Sequence, residues 1–169
     1  MTTPTPVNLT LRERRFDIFF AIVFAAFTVT SIISDLLPTV GVDFSHPSGN
    51  FFVQSNYWYA HDADPLFMNP PDWMRIVTGL SAFVYMPFYV VLVIALLTAR
   101  NWIQLPAVIY ATMIVSLTGI VVFGVEFFGE SALRTHNPVK FLVFNLPYVL
   151  VPLLLLIRMR KPLPFTRRF

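Results

Sequence analysis

Four apolar stretches free of charged side chains divide the chain. Between Asp17 and Asp35 lie seventeen consecutive uncharged residues, Ile18 to Ser34, and carrying the run through Leu37 gives a helix that crosses about 30 Å of hydrocarbon. No charge interrupts Ile76 to Ala99, and two further apolar runs follow. The pattern predicts helices over about 16–37, 76–99, 102–125 and 140–157. Their flanks are polar and unequal in length. Arg100-Asn101 leaves room only for a tight turn, so the second and third helices are antiparallel neighbours. The connection from Pro38 to Asp72 is far longer than a bundle needs. It carries Asp43, Asp62, Asp64, His46 and His61 beside Phe51, Phe52, Tyr57, Trp58 and Tyr59, a mixture expected of a lid, a binding element or an interfacial aromatic belt.

Charge then orients the bundle. An even number of spans puts both termini on one side, and that side collects Arg12, Arg14, Arg15, Arg100, Arg158, Arg160, Lys161, Arg167 and Arg168. The other side holds Arg75, Arg134 and Lys140. The excess of basic residues makes both termini cytoplasmic. The first run is longer than a signal-peptide core and lacks a small-residue cleavage site, so it reads as a retained helix.

Composition agrees with this reading and removes several function classes. Of 169 residues, 56% are hydrophobic and 12% charged, against roughly 25% charged in soluble domains. The net charge of +3 is spent on the flanks, which argues for lipid headgroups and against nucleic acid. No cysteine is present, so dithiol redox chemistry and thiolate metal sites are excluded. His46, His61 and His136 stand in loops without metal-ligand spacing, and no metal or cofactor is expected.

Polar residues within the apolar runs are the candidates for chemistry, because hydrocarbon penalises them. Asp35 and Glu126 stand at the outer ends of the first and third helices, where water or a ligand could satisfy them. Asn145 and Tyr148 share a face of the fourth helix, and Pro147 between them frees backbone carbonyl. Pro147 and Pro152 are expected to kink that helix; Pro87 stands inside the second, and Pro106 in the first turn of the third is harmless. Thr112, Ser116, Gly119 and Phe123 form a small-residue face open to helix packing or a flat ligand.

The order of several short segments carries a resemblance. Trp58-Tyr59-Ala60, Asp64-Pro65-Leu66, Pro70-Pro71-Asp72-Trp73, Met86-Pro87-Phe88, Pro106-Ala107-Val108-Ile109-Tyr110 and Asn145-Leu146-Pro147-Tyr148-Val149-Leu150-Val151-Pro152 fall in sequence along the four helices. Together they resemble the EXPERA family, which groups the sigma-2 receptor, the emopamil-binding sterol isomerase and their relatives; the sigma-2 receptor branch is the most similar.

The resemblance implies an all-α fold: an integral membrane four-helix bundle over residues 16–161, with a long extracytoplasmic loop between helices 1 and 2. Residues 1–15 and 162–169 would be cytoplasmic tails. It further implies a cavity that takes a sterol, an isoprenoid or a cationic amphiphile, and a homodimer. The branch's two cavity aspartates match Asp35 and Asp64, and its proline-tyrosine pair matches Pro147-Tyr148. Tyr59 matches the tyrosine after the loop tryptophan, with one residue fewer before the aspartate. Asp35, Asp64, Tyr59, Glu126, Asn145 and Tyr148 therefore form the expected ligand site, with Asp35 as charge anchor and Asp64 as its partner.

The isomerase branch differs in its chemistry. It places a glutamate where this chain has Ser81 and a histidine in the first helix, which has none here, while Asn145 matches its asparagine. The expectation is thus a lipid-binding protein without covalent chemistry. The alternative class is a lipid isomerase or cyclase using Asp35, Asp64 and Glu126 as acid and base. A bacterial inner membrane and an endoplasmic reticulum both fit, since the C-terminal tail is not the receptor's polylysine end. Reporter fusions at the two termini should both report cytoplasm; opposite sides would overturn the four-span topology.

Overall fold

The computed structural model describes residues 6–68 and 70–168. Four long apolar helices run over Arg15–Thr39, Asp72–Leu97, Asn101–Phe128 and Pro138–Arg158, of 25, 26, 28 and 21 residues, each long enough to cross a bilayer. Their outer faces expose residues such as Ile22, Ile94, Ile109 and Ile157, the inverse of a soluble protein and what a lipid solvent requires. The third span runs to Phe128, three residues past the expected end, so Glu126 lies within it and not at its tip.

None of the four is a plain α-helix, and prolines account for most of the irregularity. Pro38 has no N–H for the Ser34 carbonyl, and the first span breaks at Asp35 before resuming at Leu36–Thr39. In the second span the turn ahead of Pro87 widens to a π-helix over Ser81–Tyr85. The fourth span breaks at Leu146, where Pro147 restarts it, whereas the helix continues through Pro152. The expected kink therefore occurs at one of the two prolines. A second π-segment, Val115–Val122, lies in the third span and has no proline to explain it.

Two apolar clusters stack along the bundle. One joins all four spans through Phe20, Phe24, Tyr89, Leu92, Leu96, Tyr110, Ala111 and Leu155. The other gathers Phe44, Ala60, Leu66, Phe67, Met74, Val122 and Phe141 near the long connection. That connection is largely ordered as helix over Phe51–Ala63, with Pro65–Met68 as a further turn. Asn50 caps it by accepting from the Phe52 and Val53 N–H groups, and Asn56, Ala60 and Ala63 bury its inner stripe at helical spacing. Thr135 Oγ1 donates to the Ala63 carbonyl at 2.5 Å, and Lys140 Nζ bonds Asp62 at 2.8 Å and sits 3.2 Å over the Trp58 ring. These contacts bind the loop helix to the start of the fourth span.

The opposite end closes through the termini. Pro6–Asn8 and Thr166–Arg168 form a two-stranded antiparallel ribbon, pairing Val7 with Arg167. The turn between the second and third spans places Ala99 at φ 56°, and Asn101 beyond it donates to Thr166 Oγ1 and accepts from the Phe165 N–H. Beside this plug Asp17 is fully buried and accepts from Arg14 Nη1 at 2.6 Å and from Arg158 Nε and Nη2 at 2.8 and 3.0 Å. The ion triad ties the first span to the fourth. Asp17→Ala leaves the Arg14 charge buried without its partner, and thermal or chemical unfolding in detergent should show a loss of about 3–5 kcal/mol.

Candidate functional site

Between the two apolar clusters lies a cavity of about 1030 Å³. Phe27, Tyr85 and Ile114 form its floor from the lower cluster, and Phe67, Met74 and Val122 its roof from the upper. Phe51, Trp58, Val143 and Phe144 also line it and are exposed on the outer surface, so its mouth lies between the loop helix and the fourth span. Val143 and Phe144 stand in a span, which makes that mouth face hydrocarbon.

Of the residues expected at a site, Asp35, Asp64, Tyr59, Asn145 and Tyr148 all line this one cavity. Asp35 owes its position to the break that Pro38 produces. Its Oδ2 accepts from Ser31 Oγ at 2.6 Å and from Ser81 Oγ at 2.7 Å, while among the described residues Oδ1 has only Ser34 Oγ at 3.4 Å. One carboxylate oxygen is thus saturated and the other nearly open. Tyr148 pairs with Thr30 Oγ1 at 2.5 Å and stacks on Phe27, with centroids 4.2 Å apart and planes 21° apart. This gives the cavity a flat aromatic wall next to the carboxylate.

The second group of polar residues is anchored differently. Asn145 Nδ2 donates to Tyr59 Oη at 2.6 Å, and Tyr59 Oη donates to Asp64 Oδ2 at 2.9 Å. Asp64 ends the loop helix, and its Oδ1 accepts from the Phe67 N–H at 3.2 Å. Burial, with the Asp64 charge second, drives the Tyr59 pKa far up, so its phenol remains a donor. Burial also raises Asp64, against the smaller opposing effects of Glu126, Tyr59 and the Phe67 N–H.

Glu126 stands behind Asp64 and does not line the cavity. It is 1% exposed, and the Asp64 carboxyl and the Thr135 N–H are within reach of its carboxyl group. Asp64 therefore has Glu126 as its carboxyl neighbour. Asp35 and Asp64 share the cavity without a hydrogen bond to each other among the described residues. Tyr85 Oη is a buried hydroxyl on the cavity floor with no partner among the described residues.

Several participants lie outside the sequence-based expectation. Ser81, read there only as the absence of an isomerase glutamate, is a direct hydrogen-bond partner of Asp35. Ser31 falls one helical turn before Asp35, a spacing that could have been read; Thr30 and Ser81 reach the site only through tertiary packing. One face of Trp58 is covered by Lys140. Thr112 and Ser116 are exposed and bond back to their own helix, so of the small-residue face it is Gly119 that approaches the fourth span, at Val149.

The family model for EXPERA, the expanded EBP superfamily, matches residues 51–159. The chain belongs to the EXPERA family. Its relatives include the sigma intracellular receptor 2 of Xenopus tropicalis, 32% identical over 104 residues, covering 57% of this chain and 60% of that one. The same receptor of Homo sapiens and of Macaca fascicularis is 30% identical over 115 residues, covering 62% of this chain and 65% of the relative. The matched stretch thus spans somewhat under two thirds of these relatives' length. As an EXPERA protein with four apolar helices, the chain is an integral membrane protein.

The raised Asp64 pKa fixes a sign for pH. Its proton is held more tightly folded than unfolded, so the stability it contributes is full below the unfolded value of about 3.9 and lost as pH rises through the folded one. Melting temperature should fall with rising pH across that window in the native protein and fall less in Asp64→Asn. Equal slopes would remove Asp64 as the source.

Proposed function

We infer that the protein binds a sterol-like or isoprenoid lipid, or a cationic amphiphile, in the intramembrane cavity, with Asp35 as charge anchor and Asp64 paired with it across the same space. The observation that carries this reading is the convergence of two carboxyls on one apolar, ring-walled cavity whose mouth faces hydrocarbon. A molecule already dissolved in the bilayer enters between the loop helix and the fourth span. A protonated amine finds Asp35 Oδ1 unsaturated in a low-dielectric setting, where a charge pair is strong. A fused ring system lies against the Phe27–Tyr148 stack. Asn145, whose amide donates to Tyr59 and to the Phe141 carbonyl, keeps its own carbonyl for a ligand hydroxyl. The relatives are named as receptors, which supports the ligand-binding reading.

The Asp64–Glu126 contact favours a second reading, a lipid isomerase or cyclase. Two carboxyls within hydrogen-bonding reach bond only when one holds a proton, and Asp64 already accepts from Tyr59 and Phe67. A proton held there could be given to one carbon of a substrate double bond. The carbocation so formed would lose a proton from a neighbouring carbon to Asp35 or back to the pair, leaving the lipid's mass unchanged.

The purified protein in nanodiscs, incubated with a panel of sterols and polyprenyl lipids, separates the two. A retained, unchanged lipid supports binding, whereas a rearranged isomer with turnover moves the protein to the enzyme class. Asp35→Asn should weaken binding of a cationic amphiphile by more than about tenfold, read by radioligand competition or calorimetry, with expression intact. Unchanged affinity would remove Asp35 from the site.

A further inference from the structure

At the membrane edge that carries both termini, a second cavity of about 390 Å³ opens between the ends of the first and fourth spans. Its basic residues are Arg14, Arg15, Arg158, Arg160 and Lys161, and its one acidic lining residue is Glu13, which accepts from the Thr10 N–H and Oγ1. Beneath it Asp17 takes Arg14 and Arg158 together, so a single carboxylate faces two guanidinium groups and one positive charge is left over.

The geometry of Arg14 gives that excess a direction. The side chain is 3% exposed. Its Nε donates to the Leu9 carbonyl, and its Nη1 to both Asp17 and the Leu96 carbonyl. Nη2 has no hydrogen-bond partner among the described residues, and Arg14 lines the cavity. Arg158 is fixed likewise by Asp17 and the Pro164 carbonyl, and both guanidinium groups lie about 5 Å from the Phe165 ring, which holds them in place. Arg15, Arg160 and Lys161 surround this core, exposed and without ion pairs among the described residues. Immediately on the bilayer side stand Phe16 and Ile157, 76% and 61% exposed.

We propose that this cavity is a binding site for the phosphate headgroup of an anionic phospholipid, with the phosphate between Arg14, Arg158 and the Arg160–Lys161 pair and the acyl chains along Phe16 and Ile157. A guanidinium with unpaired donors, fixed by other contacts, recognises a phosphate oxygen geometrically as well as by charge. Basic pockets between spans at the headgroup level are suited to such lipids. The apolar pair decides between the two sources of the phosphate: a free anion gains nothing from Phe16 and Ile157, whereas a lipid does. The site is separate from the large cavity and independent of what that cavity binds, since no residue lines both.

The test is native mass spectrometry of the full chain released from detergent with phosphatidylglycerol, with phosphatidylcholine, or with inorganic phosphate. Phosphatidylglycerol should remain bound, phosphatidylcholine should be lost about tenfold more readily, and inorganic phosphate should not compete. The combined variant Arg15→Gln, Arg160→Gln, Lys161→Gln, which spares the Asp17 triad, should reduce phosphatidylglycerol retention about tenfold. The control Arg75→Gln, Arg134→Gln at the opposite edge should leave it unchanged. Equal retention of the two lipids, an equal loss in the control, or displacement by inorganic phosphate would overturn the proposal.

Discussion

Hydrocarbon offers no hydrogen bonds, so every polar group within a span must find its partner inside the chain. That constraint organises this molecule from end to end. Asp17 is matched by two arginines, Asp35 by two serines, Tyr148 by Thr30, and the hydroxyls of Thr112 and Ser116 by their own helix. The places where a match is incomplete stand out for the same reason. Among the described residues, Asp35 Oδ1 and Tyr85 Oη stand at the large cavity and Arg14 Nη2 belongs to a residue that lines the small one.

The two ends of the bundle solve different problems. Near the termini, charge is neutralised internally and packed over by Phe165, which locks the first and fourth spans together. Toward the long connection the spans separate, and the loop helix fills the gap as a roof carrying Tyr59 and Asp64. A rigid base and a built roof leave the space between them open, which is the arrangement a lipophile site needs. The breaks at Asp35 and Leu146 fall on either side of that space and turn Asp35 and Asn145 toward it.

The spans were legible because charge is so strongly excluded from hydrocarbon that a charge-free window is nearly sufficient evidence. Their bounds shifted by only a few residues, mostly outward. The helix at Phe51–Ala63 was harder to read, since its buried stripe of Asn56, Ala60 and Ala63 is too weakly apolar to give a periodic signal, although the Asn50 cap was present in the sequence. Five of the six residues expected at a site line one cavity, and it was the order of short motifs along the chain that singled most of them out. The contact of Glu126 with Asp64, and that of Ser81 with Asp35, join residues 62 and 46 positions apart; spacing along a helix carries no trace of such pairs.

The position of the cavity mouth changes what affinity means for this protein. On the proposed reading, with Val143 and Phe144 opening onto lipid, a ligand would arrive from a two-dimensional solvent, and its effective concentration would be a mole fraction in the membrane. Moving an apolar skeleton from acyl chains into an apolar cavity releases little free energy, since both surroundings are equally dry. Discrimination then falls to the few atoms the bilayer serves poorly. The carboxylate of Asp35 and the lone hydroxyl of Tyr85 would select among membrane solutes by their polar groups, while the carbon frame need only fit.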